Sequence, residues 1–205
     1  MSKKKHERVS SVYRKTNETH INVSVNLDGK GRHSINTGLP FFDHMIQQLS
    51  KHSLIDIDIN CKGDLEIDSH HSIEDVGWSL GKAINDALGN KQGIKRYSSN
   101  YLPMDECLTR CCIDISGRPW LVWNVFLPNV TIKDIETEIF REFFQSFSQS
   151  AEFTLHIENI YGQNTHHIIE SCFKSMAVSL RNAINLDFRN LDSVPSTKGT
   201  LTGNK

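Results

Sequence analysis

His70-His71-Ser72-Ile73-Glu74 and His166-His167-Ile168-Ile169-Glu170 are two copies of one motif, set nearly half a chain length apart. A second stretch is duplicated with them, since Pro40-Phe41-Phe42 is answered by Glu142-Phe143-Phe144. A repeat whose period approaches half the chain means duplication of one unit rather than a solenoid of many. The chain therefore reads as two related halves, residues 1–92 and 93–205, intertwined around one core.

The segments around the motifs support this. Residues 19–27 alternate apolar and polar (Ile21, Val23, Val25, Leu27) and end at Asp28-Gly29, which predicts a strand and a turn. A second strand is expected near residues 33–37. Phe42, Met45, Ile46 and Leu49 fall at helical spacing over residues 41–51, and residues 54–60 alternate again. Residues 71–88 predict a longer amphipathic helix, stopped by Gly89-Asn90. The second half repeats the order: strands at 107–115 and 120–126, a helix at 138–150, a strand at 153–159 and a helix at 166–184. Each half is a β-β-α-β-α unit. An α+β fold in which the two halves share a core is the economical architecture, because each sheet has one apolar face that needs helices. The tail from Asp192 is expected to be irregular and mobile at its end.

Composition excludes several classes. With 38% hydrophobic and 23% charged residues and a formal net charge of −1, the chain lacks the basic balance of a nucleic-acid binder. The Lys3-Lys4-Lys5 run is short enough to be a solvated, frayed end. No apolar run reaches the ~20 residues of a membrane span, so a cytoplasmic location is expected. The five cysteines show no Cys-x-x-Cys spacing, and reduced, buried thiols are expected, including the adjacent Cys111 and Cys112.

Histidine grouping carries the chemistry. On a helix, residues three and four apart share a face, so Glu74 can converge with His71 or His70. Adjacent residues diverge by roughly 100°, so His70 and His71 are expected to serve different ions. Two such segments, His70/His71/Glu74 and His166/His167/Glu170, fit a two-metal constellation, with His44 and His156 as candidates for remaining positions. The bland reading, satisfied polar residues at helix starts, is weakened by the recurrence of Glu at the same offset in both copies. A nitrogen and oxygen donor set does not separate Mn, Zn, Fe, Co or Ni. His6, His20, His33 and His52 lack such company and are read as surface or packing residues. Gly93-Ile94-Lys95-Arg96-Tyr97, Gly117-Arg118-Pro119 and Ser196-Thr197-Lys198-Gly199 are candidate anion-binding loops. With a metal site they suggest a small phosphorylated or carboxylated substrate.

Longer motifs then bear on the family. Thr37-Gly38-Leu39-Pro40-Phe41-Phe42-Asp43-His44-Met45, the run from Gly63 to Asp75, and Pro103-Met104-Asp105-Glu106 resemble the imidazoleglycerol-phosphate dehydratases. So do Ser116-Gly117-Arg118-Pro119, Leu155-His156-Ile157, the run from Asn164 to Glu170, Phe173-Lys174 and Pro195-Ser196-Thr197-Lys198-Gly199. The resemblance implies a hydro-lyase of histidine biosynthesis that converts D-erythro-imidazoleglycerol phosphate to imidazole-acetol phosphate, using two manganese ions per active site. It implies a helical layer sandwiched between two β-sheets, of the type seen in the second domain of ribosomal protein S5. It also implies a homo-oligomer of 24 subunits with metals where subunits meet; some members of the family carry a fused phosphatase, for which this chain has no room, so a monofunctional enzyme is expected.

By motif match the metal ligands are His44, His70, His71, Glu74, His156, His166, His167 and Glu170. Glu18, Gln48, Arg96, Arg118, Lys174, Ser196 and Lys198 are assigned to substrate, with His70, His71 and Glu74 bordering it. The proton lost beside the imidazole ring is not acidic, so a metal favouring the imidazolate and a nearby carboxylate are both needed. Glu170 and Glu18 are the candidate bases, with Asp105 acting through water. Two rival classes are a metal-dependent phosphate-ester hydrolase and a non-catalytic metal-storage oligomer.

Overall fold

The structure, a computed structural model, describes residues 8–201; the Lys3–Lys5 run, His6 and the last four residues lie outside them. Two four-stranded mixed sheets enclose a layer of four helices. The first sheet has the order β1-β2-β4-β3, from β1 (Val9–Lys15), β2 (Thr19–Asn26), β3 (His33–Asn36) and β4 (Asp56–Gly63). The second has the order β5-β6-β10-β7, from β5 (Tyr97–Met104), β6 (Cys107–Asp114), β7 (Trp120–Asn124) and β10 (Thr154–Tyr161). A small hairpin of β8 (Thr131–Ile132) and β9 (Ile135–Glu136) follows β7.

The duplication is plain: β-β-β-α-β-α occurs twice, with α1 (Pro40–Ser53) and α2 (His70–Leu88) in the first unit and α3 (Phe140–Ala151) and α4 (Thr165–Ile184) in the second. Each unit opens with one strand more than alternation predicts. β1 and β5 are edge strands that pair antiparallel with β2 and β6. Neither carries the fully buried positions of the central strands, so their apolar signal is weak.

Register explains the core. Val23 of β2 faces Ile59 of β4, and Ile157 of β10 faces Cys111 of β6, all on the inner faces. α1 and α2 cover the first sheet, α3 and α4 the second, and the layers meet with α2 against α3 and α1 against α4. A phenylalanine cluster fills the seam, with Phe173 centred 4.9 Å from Phe143 and 4.8 Å from Phe144. α2 approaches α3 closely because Gly77 and Gly81 face it; a Cβ there would lie 2.6 Å from the Phe143 carbonyl and 2.5 Å from that of Phe147. All five cysteines are free, with four buried and Cys112 half-buried. Burial lifts the Cys61 thiol to about 11. Among the described residues, no helix is long and apolar enough to cross a membrane.

Candidate metal centre

The helix starts gather the duplicated motifs at one end of the helical layer. Phe41, at the start of α1, meets Phe140, at the start of α3, with ring centroids 5.6 Å apart. Ser146 of α3 donates to the Glu74 carbonyl of α2 at 2.6 Å. A side chain caps α4 where its histidines begin, and an aspartate just ahead of the α2 N-cap accepts from the first histidine amide there. The Asn164 side chain accepts from the His166 and His167 amides at 3.0 and 3.4 Å, and Asp68 accepts from the His70 amide at 2.8 Å. A cap such as Asn164 is worth ~1 kcal/mol.

Among the described residues, one three-ligand group forms inside a single chain. His44 of α1, His166 and Glu170 of α4 offer ligand atoms that all lie within 4.8 Å of one another. Glu170 Oε2 is 2.9 Å from His166 Nε2 and 3.6 Å from His44 Nε2, while Oε1 takes the Lys174 ammonium at 2.6 Å. Burial pushes the Glu170 carboxyl up, but the hydrogen bonds from Lys174 and His166 outweigh it and leave it below the ordinary glutamate value. A buried, ionised carboxylate beside two imidazoles fits a divalent cation. Gln48 sits 3.5 Å from His44 Nδ1 on the next turn.

The first copy of the motif stops short of this. His70 Nε2 lies 3.6 Å from Glu74 Oε2, again at i and i+4, but Glu74 is exposed. The position that the Phe-Phe repeat sets equivalent to His44 is Ser146, whose hydroxyl is spent on α2 backbone. The duplicated halves have diverged at the third ligand.

The remaining histidine of each pair turns away, as helix geometry requires, with ring centroids 6.2 Å apart in the first pair and 6.1 Å in the second. His71 Nδ1 meets Asp64 at 3.0 Å, and its Nε2 faces Glu18 at 3.8 Å. His167 Nδ1 meets Glu106 at 2.7 Å, and its Nε2 faces Asp105 at 3.7 Å. The Asp64 and Glu106 hydrogen bonds raise the two imidazoles above the ordinary histidine value. Glu106, held by the Asn164 amide, His167 and the Gln163 amide, falls to about 2. A carboxylate on Nδ1 that leaves Nε2 outward is the arrangement that orients a metal-binding imidazole. Sequence reasoning assigned no role to Asp64 or Glu106. Asp64 precedes its helix by a few residues, but Glu106 reaches His167 from a distant hairpin, which spacing cannot reveal.

The anion candidates lie elsewhere. The Arg96 guanidinium forks onto Asp114 at 2.7 and 3.2 Å and donates to the Pro195 carbonyl at 2.8 Å, which brings the Ser196 and Lys198 turn to it. Arg118 lies 3.7 Å from the same Asp114. Arg96 is fixed by its backbone to Ala183 in the last turn of α4, whereas His166 is in the first turn. At 1.5 Å per residue this puts about 25 Å between them. His156 belongs to neither histidine cluster: it is exposed on the outer face of the second sheet, cross-strand from Cys112 and Val122. It lines a shallow concavity of about 510 Å³ with Asp114, the carboxylate that Arg96 and Arg118 share. Of the other described histidines, His20 is edge-on to Tyr13 and His33 lies beside the Gly31 carbonyl, whereas His52 feels the charges of Lys174 and Glu170. His52 is held below its ordinary value by burial and by Lys174.

Comparison with known proteins places the chain in a family. The family model for imidazoleglycerol-phosphate dehydratase matches residues 37–180. The imidazoleglycerol-phosphate dehydratase of Sinorhizobium fredii is 55% identical over 194 residues, 95% of this chain and 96% of that one. The crystal structure of the Staphylococcus aureus enzyme superposes with a TM-score of 0.79 at 35% identity, covering 87% of this chain and 99% of that one. That of the Pyrococcus furiosus enzyme gives 0.80 at 29% identity, covering 93% and 100%. Ester hydrolysis and metal storage, the rival readings, are thereby set aside. The chain belongs to the imidazoleglycerol-phosphate dehydratase family, and its activity is that family's hydro-lyase step in histidine biosynthesis.

Proposed function

We propose that this chain dehydrates its substrate in sites completed between subunits of a cytoplasmic homo-oligomer, a 24-mer, each site using two manganese ions. The observation that carries the reading is the distance of about 25 Å, along one helix, between the His44–His166–Glu170 group and the Arg96 group. A small phosphate ester cannot touch both on one chain. A mixed imidazole and carboxylate set without thiolate admits manganese among the divalent first-row metals, and family membership favours it over the others. His44, His70, His71, Glu74, His166, His167 and Glu170 hold the ions from one end of the helical layer. His156 joins them from a neighbouring chain, whose basic end carries Arg96, Arg118, Ser196 and Lys198 to the phosphate.

When bound, the ions supply Lewis acidity toward the imidazole ring and a substrate oxygen. The chain's own residues do the rest. Asp64 and Glu106 hold His71 and His167 with Nε2 outward. Glu170 is buried with both oxygens engaged, which suits a ligand better than a base. Glu18, exposed beside His71, is the group that takes the proton from carbon, and Asp105 stands in the comparable place by His167. Gln48 and Lys174 border the substrate at the metal end. Metal analysis of the assembled enzyme tests this: two ions per chain are expected, and one or none contradicts it.

A further inference from the structure

Lys91 is a buried lysine that the chemistry does not use. Its side chain is 1% exposed, in the loop that joins α2 to β5. The ammonium donates to the Leu201 carbonyl at 3.0 Å and lies 3.5 Å from Glu152, just past the end of α3. Burial pulls Lys91 below its ordinary value, and Glu152 only partly offsets this. Burying a charge with one carboxylate and one carbonyl for company is unfavourable, and a methionine would fill the volume without that cost.

What the lysine holds gives the reason. The same loop grips the C-terminal segment repeatedly: the Gly93 amide donates to Ser193 at 2.9 Å, and the Asp187 amide donates to Gly93 at 2.8 Å. The Arg96 side chain then takes the Pro195 carbonyl. From there residues 197–200 are exposed, until Leu201 returns to the interior at 3% exposure. The turn carrying Ser196, Thr197, Lys198 and Gly199 is thus fastened at both ends, by Arg96 before it and by Lys91 after it.

We infer that Lys91 is a positioning residue for phosphate binding, a clasp on the Leu201 carbonyl that holds the Ser196–Lys198 turn in its binding shape. This rests on the reading that the turn contacts the substrate phosphate. In the assembled enzyme, Lys91→Met should speed amide exchange across residues 196–201 at least tenfold. It should raise KM for imidazoleglycerol phosphate about tenfold while leaving kcat within twofold. A chain ended after Thr200, which removes the acceptor and keeps the lysine, should show the same split and covers the case in which Lys91→Met fails to assemble. Unchanged exchange in an assembled variant overturns the clasp. Faster exchange with unchanged KM overturns the phosphate role of the turn instead. A fall in kcat with KM unmoved marks Lys91 as structural and also overturns the proposal.

Discussion

Arg96 and Ala183 are joined by a backbone hydrogen bond of 2.9 Å, which fastens this candidate anion-binding arginine to the last turn of α4. The first turn of that helix carries His166. The proposed metal ligands and the proposed phosphate ligands therefore sit at opposite ends of one rigid element, and no side-chain rotation closes a gap of about 25 Å.

Glu170 and Glu18 should separate by what their loss removes. Glu170→Gln takes the ionised oxygen from between His44 and His166 and leaves the Lys174 ammonium without its carboxylate. Metal content and turnover should fall together. Glu18→Gln should keep its metal and lose about 10²–10⁴ in kcat, the usual weight of a general base. Near-normal kcat in Glu18→Gln, measured beside metal content, removes Glu18 from that role.

Asp64→Asn and Glu106→Gln should weaken metal binding about 10–100-fold without touching a ligand, since each loses the carboxylate that orients an imidazole. Competition with a fluorescent chelator reads this directly. Unchanged affinity in both variants would show that His71 and His167 need no orienting partner.

Metal removal should loosen the assembly, because a site shared between subunits links ion binding to association. Light scattering on a chelated sample should report a mass below that of the loaded enzyme, restored on adding manganese. A chelated sample of full mass counts against bridging ions.

Asp56 offers an acid-stability test away from the site. Partial burial raises its carboxyl, but the Arg32 guanidinium with the Lys30 and Arg32 amides more than offsets this and holds it at about 2. A folded value below the unfolded one stabilises at neutral pH, and the gain is lost as pH falls through about 2. Asp56→Asn should cost about 1 kcal/mol at neutral pH, allowing for screening at the largely exposed Arg32. Thermal unfolding should show the gap to the parent closing toward pH 2. A gap of constant size across that range would mean the Asp56 charge contributes nothing.

Much of this was legible in the sequence because it is local. The Phe-Phe and His-His-x-x-Glu repeats mark the duplication, and helical geometry dictates that adjacent histidines part. His70 with Glu74 and His166 with Glu170 pair at i and i+4 as that geometry allows. β1 and β5 escaped notice because an edge strand owes its form to pairing more than to its own apolar pattern. Glu106 and the divergence of Ser146 from His44 depend on contacts between distant segments. The exposed side of β10 on which His156 falls follows from strand alternation, whereas its neighbours there follow only from register.

Complementation between two inactive chains shows whether one active site draws on two subunits. Glu170→Gln and Arg118→Ala chains, each inactive alone, are co-expressed with different tags, and mixed oligomers are purified through both. If sites are built from the metal end of one subunit and the basic end of another, the mixed oligomers should recover a substantial fraction of parental turnover, since some interfaces join two intact halves. Mixed oligomers as inactive as either parent variant would contradict shared sites and place metal and phosphate binding on one chain.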